Sequence, residues 1–216
     1  MVAAAVCAHA GGHFEVDDAG TLSAGECQVE LWGGHASRSN VNFAHVGPSC
    51  GVGVVELGLN WDYTRTRPDT NLLGPQVKWT FFGREADAPL SAALEGGAQY
   101  ETRDGGRWGG QALAVVSWQV LEPVQINANL GADWAPSNGR QYSRGGLQVQ
   151  WAVVPDFTLI AERNHSFAQW GTRLGFSWQV RPTTSIDFSV ARIGYAGGDT
   201  VYTVGVNHQF DFKGGK

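Results

Sequence analysis

Nine charged residues of this 216-residue sequence stand at positions from which they could line one polar interior. Seven of them are acidic and two are basic, and each belongs to a stretch in which polar and apolar residues alternate. They are Glu56, Asp62, Lys78, Glu95, Glu101, Asp133, Glu162, Arg173 and Asp187. Rings of carboxylates around an aqueous passage favour cations, whereas the same charges paired across a narrow interior would fill it. The residue types therefore predict an acidic channel or a packed polar lumen, and do not decide between them.

The two basic residues are each expected to lie between acids on neighbouring strands. Side chains that face each other across two antiparallel strands are about 5 Å apart at Cβ. The expected partners follow from turns placed near Pro68, Glu85–Ala86, Ser166–Phe167 and the sequence VRPTT. The predicted pairs are Glu56 with Lys78, Lys78 with Glu95, Glu162 with Arg173, and Arg173 with Asp187.

One short stretch, Asn164-His165-Ser166, holds a nucleophile, a base and an amide in a predicted loop. Hydrolytic sites need such groups to converge on one point, and adjacent residues in a loop rarely do so. No hydrolase motif accompanies the stretch, so enzymatic activity is not expected and a lipid hydrolase is the least favoured membrane-barrel alternative. The remaining histidines, which are interpreted as rim or lipid-facing residues, include His35, His45 and His208.

Two metal sites come into consideration near the N-terminus. If a signal peptide were removed after Ala10, the new amine, two amides and the imidazole of His13 would form a square-planar nitrogen site suited to Cu(II) or Ni(II). An accidental N-terminal sequence is the favoured explanation of this pattern. Glu15, Asp17 and Asp18 could bind a hard cation, but a solvated turn is favoured there. No organic cofactor is expected.

Cysteine placement indicates an oxidising compartment. Cys27 and Cys50 fall at the same end of the predicted strands, and a disulfide between them is predicted because the periplasm is oxidising. Before them, Val2–Ala8 is apolar and Ala8-His9-Ala10 fits a small-x-small cleavage site of a signal peptide. The predicted organisation is a signal-peptide remnant over 1–10, a periplasmic N-terminal segment over 11–25, a barrel over 26–212 and a C-terminal tail over 213–216.

The elements that position these residues are predicted to be strands. In Gln125–Trp134, apolar and polar residues alternate without a break, which indicates a strand whose two faces have different surroundings. The same period recurs along the chain, and turn sequences separate the segments. Trp32 and Tyr195 depart from the pattern, which a bulge could explain. Twelve strands are predicted, over 26–34, 41–48, 52–65, 72–83, 89–101, 107–120, 124–135, 144–153, 157–164, 168–180, 184–195 and 200–212.

Aromatic placement favours a membrane barrel over a soluble sandwich. If the strands run alternately up and down, Trp and Tyr gather at one end, and Trp and Phe gather at the other, with aliphatic residues between. A soluble core would concentrate aromatic rings mid-strand, whereas a bilayer places them at both headgroup levels. The predicted fold class is all-β: a single antiparallel up-and-down transmembrane β-barrel of about twelve strands.

Composition agrees with this fold and excludes other classes. Charged residues make up 16% of the chain, against roughly 25% in typical soluble domains. No apolar run approaches the roughly 20 residues of a membrane helix. The net charge of −5 predicts no nucleic-acid partner.

Two stretches resemble known outer-membrane proteins. The ending HQFDF followed by KGGK resembles the C-terminal strand of small Gram-negative outer-membrane barrels, although four residues follow the aromatic. The opening HFEVDDAGTLSAGECQVELW resembles the start of outer-membrane transporters of the phenol-degradation MetA-pathway type. This resemblance implies transport of small organic compounds.

The predicted function is an outer-membrane channel or transporter that passes small polar or organic solutes by diffusion through an acidic lumen. A closed structural or adhesive barrel, a barrel hydrolase and a soluble lipocalin-like binder are the alternatives. The expected location is the Gram-negative outer membrane with both termini periplasmic. The expected partners are membrane lipid, lipopolysaccharide, small solutes and the barrel-assembly machinery.

Overall fold

Twelve antiparallel strands close into one barrel in a computed structural model that describes residues 12–85, 87–103, 106–194 and 198–212. This confirms the predicted fold class. No helix in these ranges has the length and apolar character needed to cross a membrane. The predicted signal-peptide remnant, Tyr195 and the predicted tail lie outside the described residues. The strands are β1 (Glu26–Ala36), β2 (Val41–Val52), β3 (Val55–Thr64), β4 (Thr70–Phe82), β5 (Leu90–Glu101), β6 (Arg107–Leu121), β7 (Val124–Trp134), β8 (Gln141–Val154), β9 (Phe157–Ser166), β10 (Gln169–Arg181), β11 (Thr184–Ile193) and β12 (Asp199–Asp211).

The two faces of the wall differ sharply in polarity. In β7, Leu130 is 73% exposed on the outer face, whereas Asn127 is fully buried on the inner face. Large apolar side chains cover the outside of every strand pair, and amides, hydroxyls and charges point inward. An apolar exterior around a polar interior reverses the arrangement of a soluble sandwich and is the arrangement of a membrane barrel.

The two ends of the barrel also differ. The lower end, which carries Glu26 and Asp211, has turns of two residues between β2 and β3, β6 and β7, β8 and β9, and β10 and β11. At the upper end all but one of the connections are longer. The outward aromatic residues of the upper end are Trp61, Tyr63, Tyr100, Trp108, Trp134, Trp170 and Tyr202, and those of the lower end are Trp79, Phe81, Trp118, Trp151, Phe157, Trp178 and Phe210.

Trp32 needs no bulge to explain its position. β1 and β2 pair without a register shift, and Trp32 faces His45 across the pair. Both rings point into the lumen, where they stack with centroids 4.6 Å apart. The interpretation of His45 as a rim or lipid-facing residue is therefore wrong. His45 on β2 pairs with Asp62 on β3, and both side chains line the lumen.

The N-terminal segment, residues 12–25, lies inside the barrel. Val16 and Ala19 are 1% and 0% exposed, and the amide of Ala19 donates to Ser117 Oγ on the inner wall at 2.8 Å. This differs from the expectation of a periplasmic segment outside the barrel. The segment joins the lower end of β1, and an isolated bridge between Ala24 and Gly51 holds its base against β2. Cys27 and Cys50 face each other there and form a disulfide.

Candidate lumenal site

Three basic side chains of the inner wall hold the acidic part of the N-terminal segment. Lys78 Nζ lies 2.8 Å from Asp17 Oδ2 and 3.9 Å from Asp18 Oδ1. Arg144 and Arg173 both contact Glu15, at 3.5 and 3.8 Å. The three acids therefore form ion pairs with the wall, which differs from the favoured expectation of a solvated turn.

Wall side chains also satisfy the backbone of the segment. Glu162 accepts hydrogen bonds from the amides of Glu15 and Val16, at 3.1 and 3.2 Å. Gln148 donates to the Val16 carbonyl at 2.9 Å. At the base, the Leu22 amide donates to Glu56 Oε2 at 3.0 Å. A segment without strand pairing must find such partners, because buried and unpaired backbone groups are costly.

Inward-facing glycines make room for the segment. A Cβ added to Gly146 on β8 would lie 2.6 Å from a methyl group of Val16. A Cβ on Gly205 of β12 would lie 3.2 Å from His13 Nδ1. The wall therefore has small residues where the segment projects large ones, and the segment is packed against it at specific positions.

A cavity of about 610 Å³ remains between the segment and the wall. It extends along β1 from Gln28 near the lower end to Ala36 at the upper end, and along β3 from Glu56 to Thr64. Its lining includes seven carboxylates and three basic side chains, and the three bases are those already paired with the segment. The carboxylates are Glu15, Asp17, Asp18, Glu30, Glu56, Asp62 and Glu95.

Glu30 and Glu56 give this cavity its excess of negative charge. Neither has a basic partner within 4 Å in the part of the chain that the structure describes. Higher in the cavity, Asp62 contacts His45 Nδ1 at 2.7 Å. Glu56 accepts a hydrogen bond from the Leu22 amide and Glu30 accepts one from Gln28 Nε2 at 3.2 Å. Both carboxylates lie on β1 and β3, away from the wall that carries Arg144 and Arg173.

The structure places three of the four predicted charge pairs in direct register. Lys78 faces Glu56 on β3 and Glu95 on β5, and Arg173 faces Glu162 on β9. Arg173 Nε lies 3.2 Å from Glu162 Oε1.

The expected pairing of Arg173 with Asp187 is wrong. Arg173 faces Ala191, and Asp187 faces Ser177. The turn between β10 and β11 lies within the predicted sequence VRPTT, at Pro182 and Thr183. Folding about Pro182 brings Ala191 opposite Arg173, so Asp187 does not follow from the predicted turn. Asp187 instead accepts a hydrogen bond from Asn207.

The other predicted lumen residues face inward but do not line the cavity. Glu101 accepts from the Asn71 amide at 3.1 Å near the upper end. Asp133 pairs with Arg144 at 3.2 Å. Arg144 is a lumen residue that sequence reasoning missed, although it shares the parity of the inward-facing Gln148. The predicted start of β8 at 144 made it a terminal residue, whereas the strand begins at Gln141.

Asn164, His165 and Ser166 do not form a joint site. They are the last residues of β9 rather than a loop, so alternate side chains point to opposite faces. Ser166 Oγ donates inward to Asp133 at 2.9 Å. His165 points outward, and its Nδ1 lies 3.0 Å from the carbonyl oxygen of Ser143.

His13 is enclosed in the lumen. It is 4% exposed and stacks on Phe14 at 4.6 Å, and both of its ring nitrogens lack a hydrogen-bond partner among the described residues. Burial and the nearby Arg173 lower the pKa of His13 to about 3, so the ring is neutral. Within the described ranges no group of three or more His, Cys, Asp or Glu side chains is arranged to hold a metal ion.

The family model described as "Uncharacterised conserved protein UCP029691" matches residues 1–210. No curated protein matches the chain.

Solved barrels share the architecture at low sequence identity. The NanC porin is 13% identical, with a TM-score of 0.63 over 83% of this chain and 98% of its own. The KdgM porin in complex with disordered oligogalacturonate is 11% identical, with a TM-score of 0.64 over 85% and 99%. Outer membrane phospholipase A from Escherichia coli is 11% identical, with a TM-score of 0.53 over 86% and 93%. These likenesses establish a porin-like barrel fold.

Proposed function

This chain belongs to the family of uncharacterised conserved proteins UCP029691, and we propose that it is an outer-membrane channel for small cationic or uncharged polar solutes. The observation that carries the proposal is the cavity along β1 to β5, which extends most of the way between the two ends and is lined by seven carboxylates against three basic side chains. An acidic passage lowers the energy of a cation and raises that of an anion. The N-terminal segment narrows the lumen and confines the passage to one side.

The outer surface supports the membrane location. Two aromatic belts enclose an aliphatic band, as lipid headgroups and acyl chains require. Five of the six upper connections are longer than two residues, whereas only the β4–β5 connection (83–89) is longer than two residues at the lower end of the described barrel. Outer-membrane barrels have most of their longer loops outside the cell. We therefore orient the barrel with its upper end outside and both termini on the periplasmic side.

The charge of the cavity bears on the solute class. KdgM is described in complex with oligogalacturonate, which is a polyanion. In this chain the bases that could bind an anion, Lys78, Arg144 and Arg173, are already paired with Glu15, Asp17 and Asp18. A polyanion would also meet Glu30 and Glu56. The resemblance to transporters of the MetA-pathway type supports small organic solutes, and uncharged or cationic members of that class fit this cavity.

A reversal-potential measurement tests the proposal. The purified protein is inserted into a planar bilayer under a KCl gradient, and the potential at zero current gives the ratio of K⁺ to Cl⁻ permeability. We expect a ratio above one that falls towards one in the variant Glu30→Gln/Glu56→Gln. The control is Glu122→Gln, which removes one carboxylate in an exposed turn and should leave the ratio unchanged. A Cl⁻-selective current would contradict the proposal.

A closed structural barrel is the second candidate. Side chains of β7, β8 and β11 support it, because Asn127, Gln148 and Ser189 are 0% exposed in the filled half of the lumen. Absence of any conductance from correctly folded protein would favour this candidate over a channel.

A further inference from the structure

Two arginines interrupt the apolar exterior of the barrel. Apart from Arg181, which follows a bulge at the last residue of β10, they are the charged residues that the described strands direct outward. Arg163 on β9 and Arg192 on β11 are both exposed. Neither has a carboxylate within 4 Å in the described ranges. Two positive charges without a carboxylate partner on this surface are available to an anion from outside the chain.

Both arginines face the same residue. Thr172 on β10 is the register partner of Arg163 on one side and of Arg192 on the other. Since adjacent strands are about 4.8 Å apart, the two arginine Cα atoms are about 10 Å apart. The Arg163 guanidinium lies against Thr172 on β10 and the Arg192 guanidinium lies against Thr200 on β12, so the two can contact separate anionic groups of one headgroup.

Neighbouring side chains hold the two guanidinium groups at the surface. Arg163 Nη1 donates to Thr172 Oγ1 at 2.5 Å, and Arg192 Nη1 donates to Thr200 Oγ1 at 2.9 Å. The Arg163 guanidinium also lies 4.9 Å from the ring centroid of Trp170. Each guanidinium uses one of its five donors in these hydrogen bonds and has others available for a ligand.

The two arginines lie at the level of the upper aromatic belt, where lipid headgroups are expected. Trp170 belongs to the upper aromatic belt and lies one outward position above Thr172 on β10. Arg192 pairs with Thr200, one outward position above the belt residue Tyr202. Arginine is costly at mid-bilayer and tolerated near the interface, which is where these two residues lie. Below them, Leu174 faces Val190 across the same two strands and offers an apolar surface to an acyl chain.

We propose that Arg163, Thr172 and Arg192 bind the phosphate groups of a phosphorylated lipid headgroup. Planar guanidinium groups bind phosphate through paired, charge-assisted hydrogen bonds. The position on the outer wall, between an aromatic belt and an aliphatic surface, favours a lipid over a soluble phosphate. This inference rests on the proposed membrane location and orientation, but not on the proposed conductance.

Lipid A, which carries two phosphates on a sugar headgroup, is the test ligand. Its binding to the purified full-length barrel in zwitterionic detergent is measured by native mass spectrometry. We expect the variant Arg163→Gln/Arg192→Gln to bind lipid A about 25-fold more weakly, since each surface arginine contributes about fivefold. The control Arg65→Gln removes a positive charge from the upper β3–β4 connection and should bind as the unaltered chain does.

Equal binding by the double variant and the unaltered chain would overturn the inference. Inorganic phosphate is the second probe. Displacement of lipid A by an equal concentration of phosphate would show a site for free anions and would also overturn the lipid assignment. The K⁺ to Cl⁻ permeability ratio of the double variant separates this inference from the proposed function, because it should remain unchanged when lipid A binding is lost.

Discussion

Replacement of Lys78 by Met should expel the N-terminal segment from the lumen. Lys78 is 7% exposed, lies 2.8 Å from Asp17 and faces both Glu56 and Glu95 in register. Methionine keeps most of the side-chain volume but leaves Asp17 without its cation and removes the positive charge that Glu56 and Glu95 face. Removing one partner of a buried ion pair costs about 3–5 kcal/mol. The segment is the one part of this cluster that can move, because the wall residues are fixed by strand pairing.

Thiol labelling of a cysteine at position 19 reports this displacement. Ala19 is 0% exposed, so Ala19→Cys should resist a water-soluble maleimide in the unaltered lumen and react once Lys78→Met is added. Cys7 is replaced by Ser in all variants. Heat-modifiable gel migration shows that the barrel remains folded.

A second substitution should partly rescue the Lys78→Met variant. Asp17→Asn added to Lys78→Met removes one of the carboxylates that lack a cation, and it should restore part of the protection of the cysteine at position 19. If Lys78→Met leaves the cysteine protected, or if Asp17→Asn adds to the damage, the ion pair does not hold the segment.

Three other parts of the molecule give further predictions. His13 has a pKa of about 3 in the lumen and about 6.5 when solvated. As the pH falls from 6.5 to 4.5, the free energy that holds the segment in the lumen should therefore decrease by roughly 2–3 kcal/mol. Labelling at position 19, expressed relative to that of the denatured protein at the same pH, should rise as the pH falls over this interval, and less so in His13→Phe. Replacing Cys27 and Cys50 by Ser should lower the free energy of unfolding in denaturant by about 3 kcal/mol. Leu130 is 73% exposed at mid-strand, and Leu130→Arg should lower the free energy of unfolding in lipid vesicles by about 2–4 kcal/mol. A variant as stable as the unaltered chain would argue against a lipid-facing surface.

Recognisable turn sequences make much of the charge arrangement predictable. Two neighbouring strands joined by a recognisable turn have a fixed register, so the relative positions of Glu56, Lys78 and Glu95 follow from the sequence alone. The pairing of Arg173 with Asp187 does not follow from the predicted VRPTT turn, because folding about Pro182 brings Ala191 opposite Arg173. A register shift between Gln179 and Arg181 also moves the pairing by one residue next to this turn. A bulge adds a residue to one strand without an evident signal in the sequence.

The N-terminal segment could not be placed in the lumen from its own sequence. Residues 12–25 have no strand period, and their acids alone are compatible with a solvated turn. The decisive partners, among them Lys78 and Arg144, are distant in sequence and come together only when the barrel closes. The inward glycines, such as Gly146, were a possible signal, but glycine also occurs on the outer face of this barrel, for example at Gly96.

Solutes are proposed to pass beside a segment that stays in the lumen, and a cross-link tests this central claim most directly. Ala19 N lies 2.8 Å from Ser117 Oγ, so Ala19→Cys/Ser117→Cys should form a disulfide that fixes the segment to β6. We predict that the cross-linked barrel has the same single-channel conductance and cation preference as the single variant Ser117→Cys. Loss of conductance on cross-linking would mean that the segment must leave for ions to pass, and absence of the cross-link would mean that it does not lie there.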